Sequence, residues 1–86
     1  MIKIHAKLIK RHKTIKNVTY INLNEYDRNN FYDYLTAICR ELEISTPIVI
    51  PYFIECYENF NSVRFSKEDF VDTVDFDYLF LENIDR

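Results

Sequence analysis

Asp27-Arg28-Asn29-Asn30-Phe31-Tyr32-Asp33-Tyr34-Leu35-Thr36-Ala37-Ile38-Cys39-Arg40-Glu41-Leu42-Glu43 organises this chain of 86 residues. On a helical wheel Phe31, Tyr34, Leu35, Ile38 and Leu42 share one face, while Asp33, Thr36, Ala37 and Arg40 fall opposite. That spacing predicts an amphipathic helix over 27–43 with one side to bury. Asp27 is placed to accept hydrogen bonds from the open N–H groups of the first turn, and Tyr26 and Phe31 occupy the two positions of a hydrophobic staple. The rest of the chain must supply the surface this helix covers.

Upstream, Ile2, Ile4, Ala6 and Leu8 alternate with Lys3, His5, Lys7 and Ile9, the period of a strand with one face on a core. A polar cluster over 10–14 interrupts the alternation and residues 15–23 resume it, so the two runs read as an antiparallel hairpin. The chain has no glycine, which disfavours the tight primed turns, and a loop of about three to five residues around Arg11-His12-Lys13 is expected. Left-handed backbone positions should then fall to asparagine, with Asn17, Asn24, Asn59, Asn61 and Asn83 as candidates.

Downstream, Pro47 and Pro51 push the residues before them out of the helical region, so 46–50 reads as an extended connector. Tyr52, Phe53, Cys56, Tyr57 and Phe60 form a helical stripe behind Pro51, which suits a first helical position. Residues 48–54 also fit a buried strand; the short helix is preferred. Ser66-Lys67-Glu68-Asp69 has the form of a capping box, with Phe65 and Phe70 at its staple positions, and predicts one or two helical turns over 67–72. In 74–84, Phe76, Tyr78 and Phe80 take one parity and Leu79 and Leu81 the other, as in a strand covered at least partly on both sides. Its acids Asp75, Asp77, Glu82 and Asp85 suit a place beside the basic first strand. The expected fold is α+β, a single domain over 1–86 in the order β-β-α-α-α-β, with a three-stranded sheet and the long helix on one face.

The run Arg64-Phe65-Ser66-Lys67-Glu68-Asp69-Phe70-Val71, followed by Val74-Asp75-Phe76-Asp77-Tyr78-Leu79, resembles the C-terminal pattern of a family of small uncharacterised bacterial proteins of about this length. Those proteins also carry a basic N-terminal hairpin, a helix like the one holding Ala37-Ile38-Cys39, and a proline near the position of Pro47. The resemblance implies the same fold and brings no activity with it.

Composition narrows the function by exclusion. An apolar share of 48% and a charged share of 29% are those of a folded globular chain, and seven Phe with seven Tyr supply the large side chains that a small core needs. Without glycine, Gly-rich phosphate loops and dinucleotide fingerprints are absent in their usual form. No stretch is long enough to span a membrane, and the N-terminal residues interleave charge with apolar side chains, so a cytoplasmic protein is expected. Cys39 and Cys56 should be free thiols there.

The net charge of −3 is unevenly spread: residues 1–16 hold Lys3, Lys7, Lys10, Arg11, Lys13 and Lys16 and no acid, while all 14 acidic residues follow. Lys7, Lys10, Arg11, His12, Lys13 and Lys16 therefore make a basic hairpin fit to approach phosphates. Cys39, Cys56, His5 and His12 lack the spacing of a zinc site or of a thiolate with its base, and Asp75 and Asp77 are read as partners for Lys3 or Lys7 or as strand-edge charges, so neither enzyme activity nor a cofactor is expected. The surplus of aromatics at Tyr52, Phe53, Tyr57 and Phe60 offers a contact patch. The leading expectation is a non-enzymatic protein-interaction module that uses either the aromatic 52–60 surface or the exposed sheet edge, with a homodimer among its forms; the alternative is a nucleic-acid-binding accessory protein that uses the hairpin over 7–16.

Overall fold

The N-terminal alternation folds as a hairpin of β1 (Ile2–Lys10) and β2 (Lys13–Asn22) in the computed structural model, which describes residues 1–85. The loop between them is two residues long, shorter than expected. Arg11 and His12 take φ of 52° and 66°, the left-handed pair that a type I′ turn requires. Two long strands with right-handed twist select this turn even without glycine. Its conformational cost is offset by neighbours from the far end of the chain: the Arg11 N–H donates to the Asp77 carboxylate at 2.8 Å, and Lys10 Nζ lies 2.9 Å from Asp75. Replacing Arg11-His12 by Asn-Gly should therefore stabilise the fold by about 1 kcal/mol, which raises the melting temperature by roughly 4–8 °C. An unchanged or lowered melting temperature would show that the turn is not strained.

The central helix α1 (Phe31–Leu42) buries Phe31, Tyr34, Leu35, Ile38, Cys39 and Leu42, the face that its period indicated. Its entrance differs from expectation. A 3-10 turn, Arg28–Asn30, precedes it, and Asp27 caps that turn by accepting from the Asn29 N–H at 2.9 Å. Tyr26 packs against Tyr34 and Tyr57, ring centroids 6.0 and 5.9 Å away, in place of a staple to Phe31. At the exit Glu43 turns left-handed at φ 61°; the Glu43 N–H donates to Arg40 and the Ile44 N–H to Cys39, the paired bonds of a Schellman ending.

An irregular connector follows, with Pro47 fully buried. The helical alternative for the second apolar run is the one observed: α2 (Pro51–Phe60) begins on its proline. Asn61, at φ 58°, then reverses the chain into a strand that the sequence reading lacked, β3 (Ser62–Ser66). Only Asn61 among the five asparagine candidates is left-handed. The capping box is real, with the Ser66 N–H donating to the Asp69 carboxylate at 2.8 Å, but it closes a single 3-10 turn, Lys67–Asp69, and not a helix over 67–72. Phe70 and Phe76 meet edge to face at 5.2 Å and pin the two ends of a largely exposed loop to the core, so the last strand, β4 (Tyr78–Asn83), starts later than 74.

The sheet has four antiparallel strands in the order β2-β1-β4-β3, in place of three. β4 lies beside β1, as its acids suggested. All buried strand residues share one parity: Ile2, Ile4, Ala6, Leu8, Val63, Phe65, Leu79 and Leu81 join the buried faces of α1 and α2 in one core. The opposite face carries Lys3, His5, Lys7, Ile9, Tyr78, Phe80, Glu82 and Arg64, and among the described residues no helix packs across it. β4 is thus covered on one side only, which corrects the expectation of cover on both. Outside the core, the Glu58 carboxylate accepts from the Tyr26 hydroxyl at 2.7 Å and from two nitrogens of Arg28, and these bonds hold its pKa below the usual carboxylate range. They tie the entrance of α1 to α2.

Candidate functional site

Helix α2 has one more apolar stripe than its core contact uses. Tyr57 is buried, edge to face with Phe31 at 5.5 Å, and burial pushes its hydroxyl up to about 12. Phe53 lies half-buried against Phe65 at 4.7 Å. Tyr52, next to Phe53, and Phe60, three residues after Tyr57, are 63% and 72% exposed, although both are large apolar side chains. The four aromatic candidates therefore divide: Tyr57 is core, Phe53 is a floor, and Tyr52 and Phe60 are surface.

Tyr52, Phe53, Cys56 and Phe60 form one wall of a groove of about 440 Å³ whose other wall is Ser62, Val63, Arg64 and Phe80. The Tyr52 hydroxyl lies beside Cys56, and its interaction with that thiol raises the hydroxyl's pKa. The groove follows an open strand edge, because among the described residues β3 is last in the sheet and pairs with β4 alone. The Asn83 N–H donates to the Asn61 carbonyl and the Lys67 N–H to the Asp77 carbonyl, which fixes the alternation between them. Val63 and Phe65 bond to β4, while the backbone groups of Ser62 and Arg64 point outward from the edge. The Ser66 N–H is taken by Asp69. Two residues of strand edge thus stand beside an apolar groove.

The hairpin candidates do not gather on one surface. Lys7 projects from the uncovered sheet face, whereas Lys16 lies on the helix side, where its Nζ donates to the Leu42 carbonyl at 3.1 Å and sits 3.7 Å from Glu43. Lys10 is paired with Asp75, Arg11 and His12 form the turn, and Lys13 stands opposite Lys10 on the other strand. Asp75 and Asp77 serve as the turn's partners, and the Lys10 ammonium holds the Asp75 pKa below its usual value.

Cys39 is buried, and burial raises its thiol to about 12, so it stays protonated at neutral pH. His5 projects from the opposite face of the sheet, away from that core. Among the described residues no group of three or more His, Cys, Asp or Glu side chains is arranged to hold a metal, and no helix is long and apolar enough to cross a membrane.

Comparison with protein-family models, curated proteins and solved structures finds no match to this chain. The groove residues that sequence reasoning missed are Ser62, Val63, Arg64 and Phe80. Their signal was the alternation Ser62-Val63-Arg64-Phe65-Ser66, which has strand period but falls directly after a helix with no glycine between.

Proposed function

We propose that the protein is a non-enzymatic interaction module that captures an extended segment of another protein along the open edge of β3. The observation that supports this reading is the outward-pointing backbone of Ser62 and Arg64 running beside the groove of Tyr52, Phe53, Cys56 and Phe60. In strand addition the main-chain hydrogen bonds supply affinity and pockets for alternate side chains supply specificity. This edge has both. Exposed aromatics of the size of Tyr52 and Phe60 are the residue types that anchor such contacts. A homodimer is the form this reading takes when the added strand comes from a second copy. The cytoplasm, where Cys39 and Cys56 remain thiols, is the compartment it fits.

The test is a selection of displayed unstructured peptides against the intact chain. Selected binders should carry alternating apolar residues and keep their affinity at high salt. They should lose roughly ten-fold or more in affinity on Tyr52→Asp or Phe60→Asp. These side chains are exposed, so both variants should melt as the parent does. Binders indifferent to both substitutions, or a selection that yields none, would overturn the reading.

A further inference from the structure

We propose that the uncovered face of the sheet is a platform for single-stranded nucleic acid. This goes beyond the edge-binding reading: the platform shares Arg64 and Phe80 with the groove wall, but it extends across the sheet to Lys7 and Lys3 and away from α2. Phe80 lies near its centre on β4, with Lys7 directly opposite on β1 and Arg64 directly opposite on β3. Tyr78, two residues along and hence on the same face, sits opposite Ile9, and the Arg64 guanidinium carbon lies 5.0 Å from its ring centroid. Lys3 shares the face four residues before Lys7, about 13 Å away at strand rise. The result is two aromatic rings side by side on an inner strand, bracketed by cations.

Charge on this face opposes that of the whole molecule. The chain carries −3, yet this face holds Lys3, Lys7 and Arg64 against one acid, Glu82, among the described residues. Phe80 and Tyr78 are half-buried, so part of their rotamer freedom is already lost and a stacked base would cost little further side-chain entropy.

The occupant follows from what must be neutralised. An apolar protein surface laid on this face would desolvate Lys7 and Arg64 without bringing carboxylates to them, a costly burial. A single strand brings an anion with every base. Its unpaired bases stack on aromatic rings or on a guanidinium plane, here Phe80 and the Arg64–Tyr78 pair, while the phosphates reach the lysines. A duplex keeps its bases stacked inside and offers these rings nothing.

The test is fluorescence anisotropy with labelled oligouridylate and oligothymidylate of about a dozen nucleotides, alongside a duplex of equal length. Both single strands should bind in preference to the duplex. The logarithm of the affinity should fall with that of salt concentration at a slope of about −2 for three cations. Phe80→Ala and Tyr78→Ala should each weaken binding roughly ten-fold, and Lys7→Ala should reduce the slope by about 0.7. Stronger binding of oligouridylate assigns the platform to RNA and stronger binding of oligothymidylate to DNA. Lys7→Glu removes no ring and should abolish binding with an unchanged melting temperature, which separates loss of the site from loss of the fold. Tyr52→Asp should leave binding intact, so failure here and failure of the edge-binding reading are distinguishable. The proposal is overturned by absence of binding at low salt, by preference for the duplex, or by affinity that survives Phe80→Ala and Lys7→Glu but falls on Arg11→Ala and Lys13→Ala.

Discussion

Phe65→Ala is expected to lower stability by about 3–5 kcal/mol, the cost of removing a large buried aromatic. Phe65 is fully buried, lies 4.7 Å from Phe53 and stands opposite Leu79 in the sheet. It is the main anchor of an edge strand of five residues. A domain this small has about 5–10 kcal/mol to lose, so the urea midpoint should fall by roughly half. The consequence reaches the groove, because Phe53 rests on Phe65 and forms its floor. Phe65→Leu, which keeps most of the apolar volume, should recover much of the stability. A loss below about 1 kcal/mol for Phe65→Ala would mean that β3 is not fastened to the core through this side chain.

Phe31→Ala should have a similar cost, again about 3–5 kcal/mol, by a different route. Phe31 opens α1 and meets Tyr57 of α2 edge to face, and Tyr57 in turn touches Tyr26, which touches Tyr34. These rings join the two helices where direct helix contact is sparse. A double-mutant cycle of Phe31→Leu with Tyr57→Leu should give a coupling of about 0.5–1.5 kcal/mol, the part owed to ring geometry beyond area. Additive losses in that cycle would reduce the contact to simple burial.

What the sequence made legible was set by the length of each pattern. The faces of α1 and of β1 could be read because their apolar periods run over nine residues or more, and a shift of one position would expose the whole set. Short elements failed for the same reason. β3 has only Val63 and Phe65 to mark its period, and Asn61 makes its turn without the glycine that usually signals one. Ser66 to Asp69 carries a true capping box, but local hydrogen bonds do not set helix length; the burial of Phe70 and Phe76 ends the turn after three residues. The Arg11-His12 turn is not legible from local glycine preference, because the twist of the flanking strands sets it.

The same limits apply to the candidate site. Tyr52, Phe53, Tyr57 and Phe60 could be singled out together as surplus aromatics but not separated into core and surface, because which flank of α2 meets the core depends on β3 and on Tyr26, partners distant in the chain or unrecognised. The hairpin cations looked like one cluster only because they are close in sequence. Strand alternation sends Lys7 and Lys16 to opposite faces of the sheet.

Amide hydrogen exchange along β3 tests the central claim, an open strand edge that takes up an added strand, most directly. In the free protein Val63 and Phe65 should exchange slowly and Ser62 and Arg64 fast; with a selected peptide bound, Ser62 and Arg64 should become slow as well. Protection of Ser62 and Arg64 already present in the free protein, or their continued fast exchange in the complex, would contradict the account.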